Sequence, residues 1–326
     1  MAADRDLGVA FATALGQTSG GGRAGWEVTA ATGVRGLRLL NESGAFAAFL
    51  LTEANPEAAG VLGRNAARYP GATAALGDGR EPPGPERFDF VDVDPYGSPV
   101  DFLPAALAAL RPGGVLAVTA TDMMVLAGVQ KGACERRYGA VPVRGRLGPE
   151  GGLRILLAYL AREARARARA IRPLLAYSRD HHVRAYVEVH RAETGPPSDP
   201  VGTIDPASWS GPPVGNRGPY GPMWLGPLFD APTVRALRRP EASARPAETE
   251  AFVARLAEEC AADVPFYYEP NRLAHALRLP APPALGGLLR ELTSRGFRAA
   301  RTHARPEGLR TDAPREVVET IARATS

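Results

Sequence analysis

The sequence contains almost no cysteine, a single lysine and no long apolar stretch. Its 326 residues include only Cys134 and Cys260, too few for a disulfide framework or a four-cysteine zinc site. No apolar run reaches the roughly 18 residues that a membrane-spanning helix needs. The N-terminus, MAADRDLGVA, also lacks the charged and apolar regions of a secretory signal. We therefore expect a cytoplasmic protein without a membrane segment.

The basic residues are nearly all arginine. Lys131 is the only lysine, and the formal net charge is +4. Arginine suits the phosphates of nucleic acids, because its planar guanidinium donates several hydrogen bonds. A GC-rich genome would produce the same excess together with the abundant glycine and proline, so composition leaves both interpretations open. The length predicts about two domains, and an apolar fraction of 45% with 23% charged residues is typical of globular proteins.

The first half of the chain alternates short apolar segments with amphipathic ones. The predicted strands are 26–29, 47–52, 72–76, 88–93 and 115–119, and the predicted helices are 34–40, 55–68 and 103–110. This spacing is typical of βαβ units in a parallel, doubly wound sheet. A helix at 153–170 and strands at 174–178 and 183–190 extend the pattern. We therefore predict an α/β, Rossmann-like domain over residues 1–192.

The second half is predicted to form a smaller α+β domain over residues 193–326. Residues 194–221 are rich in glycine and proline, which predicts a linker. Several helices and one short strand are predicted beyond it, at 233–238, 248–259, 271–279, 284–295 and 297–302. We place the domain boundary near residue 192.

Polar residues and a small-residue turn follow the predicted strands, where an open parallel sheet binds its ligands. The first strand carries Glu27 and leads into a turn that contains Ala31 and Gly33. Small residues let a ligand approach the backbone there, close to the N–H groups of the next helix. Glu53 and Asp78 follow the next two strands, where carboxylates accept from ribose hydroxyls or an adenine amino group. This combination suits S-adenosylmethionine, whose sulfonium is positive.

The motif Asp94-Pro95-Tyr96-Gly97 follows the fourth predicted strand. It resembles the Asp/Asn-Pro-Pro-Tyr/Phe turn of methyltransferases that act on amino groups of bases. The lone pair of such an amine is conjugated with the ring, so a carboxylate that accepts its N–H bonds orients it toward a methyl group. Proline restricts the turn, and tyrosine can stack on a flipped base. A tight turn with a capping aspartate would use the same residues, and the motif alone leaves both interpretations open.

A series of segments, in chain order, resembles the tRNA guanine-N2 dimethyltransferase family. The matching segments are Asp4-Arg5-Asp6-Leu7, AATGVRGLR (30–38), FDFVDVDPYGSP (88–99), GGVLAVTATD (113–122), ACERRYGAVP (133–142), GLRILLAYLARE (152–163), YSRDHHVRAYV (177–187), GPMWLGPLFD (221–230), FYYEPNRLAHALRLPAPP (266–283) and GFRAARTHARPEGLRTDAP (296–314). The resemblance covers nearly the whole chain. It implies a Rossmann-like catalytic domain, a C-terminal domain that helps to hold tRNA, and methyl transfer from S-adenosylmethionine to N2 of a guanine, typically guanine 26.

The resemblance also implies roles for residues at the matching positions. Those of the cofactor site are Arg5, Glu53 and Asp78, with the turn at 31–33 beside them. The catalytic carboxylate is Asp94, and Pro95 and Tyr96 shape the pocket for the base. Two features depart from the family pattern: Asp4 stands where the family has asparagine, and residues 191–220 lack the cysteines of the zinc insertion that many members carry. We therefore predict no structural zinc and no other metal.

An arginine-rich segment near the C-terminus is predicted to contact RNA phosphates, because it contains only one acid, Glu307. Its arginines are Arg295, Arg298, Arg301, Arg305 and Arg310. A solvated basic face is the alternative. The whole sequence predicts a tRNA guanine-N2 methyltransferase with tRNA as its only predicted partner. Methyl transfer to another RNA or DNA amino group, or a catalytically silent tRNA-binding protein, are the alternatives that remain.

Overall fold

A seven-stranded sheet lies at the centre of the molecule. The computed structural model describes residues 2–19, 21–193, 199–215 and 218–325. The strands are β1 Arg23–Glu27, β2 Phe46–Glu53, β3 Ala72–Leu76, β4 Phe88–Val93, β5 Leu110–Ala120, β6 Arg169–Arg179 and β7 His182–Arg191. Their spatial order is β3-β2-β1-β4-β5-β7-β6. The first five pair in parallel, and β7 runs antiparallel between β5 and β6. We call the edge where β1 to β5 end the carboxyl edge.

Helices cover the sheet and build the C-terminal part. The first group is α1 Ala2–Ser19, α2 Val34–Glu42, α3 Pro56–Ala66, α4 Leu103–Ala109, α5 Met123–Leu126, α6 Lys131–Tyr138 and α7 Gly148–Arg165. The second group is α8 Ala231–Ala236, α9 Pro246–Glu259, α10 Pro270–Leu277, α11 Leu285–Ser294 and α12 Arg315–Ala324. Two small antiparallel sheets pair β8 Val201–Ile204 with β9 Tyr220–Trp224, and β10 Ala299–Arg301 with β11 Leu309–Thr311. The α/β, Rossmann-like class predicted from the sequence is confirmed.

Apolar side chains on both faces of the central strands explain why this sheet is buried. Trp26 of β1 is fully buried, and its indole N–H donates to Thr52 Oγ1 at 2.8 Å. Phe49 and Phe90 are also buried, with ring centroids 6.3 Å apart. Gly25 pairs with both residues across the sheet. Only glycine fits there, because a Cβ would lie 2.3 Å from the Phe49 ring. Burial of each such aromatic ring stabilises the fold by about 2–3 kcal/mol.

One local prediction was wrong in the second half of the sheet. Helix α7 ends at Arg165, and Arg169 already begins β6. Ala168 has a φ of 54°, which turns the chain back into the sheet. The Arg169 guanidinium is therefore buried and donates to the carbonyls of Leu107 and Leu110. The predicted linker 194–221 contains β8 and the start of β9, although its residues 194–198 and 216–217 lie outside the described part.

The apolar core forms two clusters. The larger one extends from Leu7 through the sheet to Tyr267, and the smaller one contains residues between Tyr268 and Ala322. Residues 204–267 therefore pack with the sheet, and the domain boundary near 192 stays a prediction. Within the described ranges, no helix is long and apolar enough to cross a membrane.

Candidate active site

The carboxyl edge gathers the polar residues that follow separate strands. Glu27 ends β1 beside Leu51 of β2, and Glu53 ends β2 beside Leu76 of β3. Asp94 directly follows β4, which pairs with β1 on one side and β5 on the other. These carboxylates were predicted from the sequence to lie at one edge, because neighbouring parallel strands end together.

The turn between β1 and α2 is shaped by a backbone hydrogen bond and by the side chain of Glu53. Gly33 N donates to the Ala30 carbonyl at 2.7 Å, and Gly33 adopts a φ of 80° that favours glycine. Glu53 Oε2 accepts from Ala31 N at 2.7 Å, and its Oε1 accepts from Asn55 N at 2.8 Å. Glu53 thus joins this turn to the start of α3. The N-terminus of α2 faces the same space, with helix N–H groups suited to a polar ligand.

Glu27 lies beneath that turn and is almost completely buried. Its Oε2 accepts from Gly36 N at 3.0 Å, and a Cβ at Gly36 would meet the same oxygen at 2.7 Å. Burial and the nearby Asp92 raise the pKa of Glu27 to about 8, although Arg35 opposes the shift. The side chain is therefore mainly protonated at neutral pH. Its predicted contact with a cofactor stays a prediction.

Asp94 is bonded by the buried Arg35, and the buried Arg184 lies next to it on Asp92; neither arginine was predicted from the sequence. Arg35 of α2 donates through Nη2 to Asp94 Oδ2 at 2.5 Å. Arg184 of β7 holds Asp92 at 2.7 Å and donates to Thr119 Oγ1 at 2.6 Å. Burial raises the pKa of Asp94, but Arg35 and Arg184 outweigh it and hold that pKa below its usual value. Thr119 also donates a hydrogen bond to Asp94, and the carboxylate stays ionised.

The loop after Asp94 is clamped to the end of β5. Gly97 N donates to Thr121 Oγ1 at 2.6 Å, and Thr121 N donates to the Gly97 carbonyl at 2.9 Å. Pro95 is buried at the base of the loop, whereas the ring of Tyr96 is fully exposed. An exposed ring beside an ionised carboxylate presents a stacking surface and a hydrogen-bond acceptor together.

Asp122 extends this clamp to helix α6. Its carboxylate accepts from Tyr138 Oη at 3.0 Å and from Arg137 Nη1 at 2.7 Å. The Tyr138 hydroxyl also lies 3.0 Å from Ser98 Oγ. Asp122 stands at the start of α5, but its side chain makes no capping hydrogen bond there. Its role is therefore to brace the loop against α6.

Helix α1 closes one side of the site. Asp4 Oδ1 lies 3.2 Å from His182 Nε2 of β7. Asp6 accepts from Arg38 of α2 at 2.7 Å and from the Ser243 hydroxyl at 2.7 Å. Arg5 lies half-buried between these two anchors, so the anchors fix the position of its helix at the carboxyl edge. The predicted cofactor contact of Arg5 stays a prediction.

Asp78 follows β3 at the outer end of the same edge. Its carboxylate accepts from the backbone N–H of Arg80 and from the Arg80 guanidinium. These bonds lower its pKa to about 2. Asp78 is thus an ionised acceptor, and a ligand at this position would compete with Arg80.

The site fits a ligand that carries hydroxyl and amino donors and a positive centre. Glu53, Asp78 and Asp94 supply acceptors from three strand ends. Two buried polar atoms, Thr29 Oγ1 and Arg35 Nη1, have no hydrogen-bond partner within the part of the chain that the structure describes. Buried polar atoms without a partner are costly and commonly bind water or a ligand. No group of three possible metal ligands is found among the same described residues.

The predicted RNA-contacting arginines separate into exposed and buried residues. Arg295, Arg298 and Arg301 are exposed, and Arg305 is half-buried. Arg310 is completely buried, where Glu150 and Glu259 bind its guanidinium. The prediction was wrong for Arg310, because a side chain enclosed by two carboxylates cannot reach a phosphate. The other four stay predictions.

Comparison with known proteins identifies a family and similar chains. A family model described as N2,N2-dimethylguanosine tRNA methyltransferase matches residues 1–196 and 214–323. A tRNA (guanine(26)-N(2))-dimethyltransferase from Thermococcus kodakarensis is 35% identical, over 98% of this chain and 91% of that protein. Its counterpart from Aeropyrum pernix is 33% identical, over 98% and 87%. The solved complex of Trm1 from Pyrococcus horikoshii with S-adenosyl-L-methionine superimposes with a TM-score of 0.84 at 28% identity, covering 98% of this chain and 92% of that one.

Proposed function

The chain belongs to the N2,N2-dimethylguanosine tRNA methyltransferase family, and we propose that its site transfers methyl groups from S-adenosylmethionine to N2 of guanine 26 in tRNA. The observation that carries this proposal is the Asp94 carboxylate, kept ionised by Arg35 beside the exposed ring of Tyr96. The relatives named for this reaction match the chain over nearly its full length, which supports the same substrate.

Asp94 positions the target amine. The amine lone pair of guanine N2 is delocalised into the ring, so it attacks well only when its N–H bonds are directed away from the methyl group. Asp94 accepts a hydrogen bond from one of those N–H groups, and its negative charge stabilises the positive charge that develops on the amine in the transition state. Arg35 and Thr119 both hydrogen-bond to the Asp94 carboxylate, so its position is fixed before the base enters. The proton leaves through Asp94 or to solvent.

Tyr96 and Pro95 hold the base. A guanine within a tRNA stem must leave its stack before it reaches the carboxyl edge. The exposed Tyr96 ring offers a new stacking surface, worth about 1–3 kcal/mol per base in comparable sites. Pro95 and the Gly97–Thr121 clamp limit the motion of the loop, so the ring and Asp94 keep their relative position.

Residues on the first three strand ends hold S-adenosylmethionine, which supplies a methyl group on a positively charged sulfur. Glu53 and Asp78 are acceptors for its hydroxyl and amino groups, and the turn at Ala31 and Gly33 lets it approach the backbone. Arg5 is the cation available for its carboxylate. Glu27 supports the turn from below through Gly36.

Substitution of Asp94 tests the proposal. Asp94→Asn keeps the size of the side chain but removes the charge, and we expect methyl transfer to fall by about 10²–10³-fold, the cost of removing one preorganised electrostatic group. Nucleoside mass spectrometry of tRNA after incubation detects N2-methyl- and N2,N2-dimethylguanosine. Calorimetric titration of S-adenosylmethionine into the variant serves as the control and should give an unchanged affinity.

Wild-type protein that binds S-adenosylmethionine but leaves guanine 26 unmodified would contradict the proposed substrate. A tRNA transcript with adenine at position 26 should remain unmodified. We place the reaction in the cytoplasm, where the sequence analysis predicts the protein.

A further inference from the structure

Residues 131–146 contain helix α6 and the loop that leads to α7, and every cation among them is exposed. We call these cations the α6 surface: Lys131, Arg136, Arg137, Arg144 and Arg146. The same sixteen residues contain one acid, Glu135. Five exposed positive charges over such a short stretch attract a polyanion and raise its local concentration.

One end of the α6 surface is joined to the loop that carries Asp94. The Tyr138 hydroxyl at the end of α6 lies 3.0 Å from Ser98 Oγ and donates to Asp122. Arg137 holds the same Asp122 at 2.7 Å while remaining 41% exposed. Arg137 of the α6 surface is therefore linked through Asp122 and Tyr138 to the loop that carries Tyr96.

The other end is joined to the C-terminal part. Arg146 forms ion pairs with Glu269 at 3.0 Å and with Glu307 at 3.4 Å. The Tyr267 hydroxyl donates to the Arg146 carbonyl at 2.9 Å. The α6 surface thus runs from the catalytic loop to the boundary between the two apolar clusters, in one continuous segment of chain.

Two members of the α6 surface are available for a ligand without breaking a native ion pair. Arg136 and Arg144 are exposed and form no ion pair within the described ranges. Lys131 is paired only with Glu135, four residues on, at 3.5 Å between exposed groups. Such surface pairs contribute little to stability and exchange readily for a phosphate.

We propose that the α6 surface binds the phosphate backbone of tRNA next to the flipped guanine. This inference rests on the proposed function and adds the place where the RNA is held. The arginine fork donates to phosphate oxygens in parallel, so Arg136 and Arg144 position the strand without reading its sequence. A strand held there enters the site past Tyr138 and Arg137, beside Tyr96.

Charge reversal at the two unpaired arginines tests the surface. We expect the double variant Arg136→Glu/Arg144→Glu to bind tRNA at least about tenfold more weakly at 0.1 M salt, with a slope of log affinity against log salt reduced by about 1.5. Fluorescence anisotropy with labelled tRNA gives both quantities. Transfer at saturating tRNA should remain close to that of the wild type, so the loss appears in KM rather than in kcat.

Arg295→Glu/Arg301→Glu is the matched control, because it makes the same change of charge at two exposed arginines of the other basic segment. That segment is also predicted to contact RNA, so we expect this variant to weaken binding too, but less than Arg136→Glu/Arg144→Glu does. Equal losses of affinity in both double variants would show that affinity follows net charge. An affinity within twofold of the wild type for Arg136→Glu/Arg144→Glu would show that the α6 surface does not bind RNA. Either result overturns the proposal. Wild-type protein that neither binds nor methylates tRNA would instead contradict the proposed function.

Discussion

Two segments of sixteen residues, 131–146 and 295–310, carry the same charge but occupy different environments. Each contains five cations and one acid. In 131–146 all five cations are exposed, and the segment adjoins the catalytic loop. In 295–310 Arg310 is completely buried and Arg305 is half-buried. Equal charge in the sequence therefore does not mean equal access to a ligand, because the packing of each segment decides which charges reach solvent.

The buried arginine gives the largest expected effect. Arg310 joins α7 to α9 and the second cluster through Glu150 and Glu259. Arg310→Met should lower the free energy of unfolding by about 3–5 kcal/mol, because two buried carboxylates each lose a cation and keep only Arg154 or His303 as the other. Urea denaturation followed by circular dichroism measures the change. Arg301 lies in the same segment but is exposed, so Arg301→Met should change the free energy of unfolding by less than about 0.5 kcal/mol. Equal changes in the two variants would show that burial does not distinguish these arginines.

Acid should weaken the buried network around the second segment. Burial raises the pKa of Glu259, but His303 and Arg310 outweigh it and lower that pKa well below its usual value. An acid whose pKa is lower in the folded state stabilises the protein above its unfolded pKa, near 4.5, and loses this contribution as the pH falls through the folded pKa. Wild-type Tm should therefore fall more steeply below pH 4.5 than that of Glu259→Gln. Parallel profiles of Tm against pH for the two proteins would show that Glu259 does not cause the loss of stability in acid.

Removal of one hydroxyl from the first segment should impair catalysis by a smaller amount. Tyr138→Phe deletes the bonds to Asp122 and Ser98 but keeps the ring. A lost buried hydrogen bond costs about 1–2 kcal/mol, so kcat/KM for tRNA should fall by about tenfold. Cys134→Ala, on the same helix but away from the loop, provides the comparison; it should preserve kcat/KM within about twofold. An unchanged kcat/KM in Tyr138→Phe would show that the brace is dispensable.

The smallest effects are expected from the exposed pairs of both segments. Lys131 pairs with Glu135, and Arg295 pairs with Glu291, each four residues apart on a helix. Lys131→Ala and Arg295→Ala should each change the free energy of unfolding by less than about 0.5 kcal/mol. They differ in RNA binding, where we expect the larger loss of affinity from Lys131→Ala, because Lys131 belongs to the α6 surface. A larger effect of Arg295→Ala would favour the second segment as the RNA contact.

Local patterning predicted much of the fold. The strand at Phe88–Val93 and the helix after Asn55-Pro56 follow from an apolar run and from a capping residue with proline behind it, and both are present. The end of α7 was predicted too late, because its arginines continue a helical composition past residue 165. What ends the helix is the left-handed turn at Ala168, which buries Arg169 against two carbonyls of distant chain.

The candidate site was predicted in part. Residues after adjacent parallel strands must meet at one edge, so Glu53 and Asp94 could be placed together from the sequence alone. Arg35 and Arg184 could not, since they lie on α2 and β7 and reach Asp94 and Asp92 only through folding. The motifs AATGVRGLR and YSRDHHVRAYV already contained them, but nothing local distinguishes these arginines from the many others.

The sequence by itself determined the alternation of strands and helices, the order of polar strand ends and the family to which the chain belongs, because these depend on residue type and spacing. Only the tertiary structure decided which charges do chemistry, which bind solvent and which are buried. The reason is that the fate of an arginine depends on its distance to a carboxylate and on its exposure, and both are set by contacts between segments far apart in the chain. Arg310 and Arg136 look alike in the sequence, yet one is enclosed by two glutamates and the other faces water.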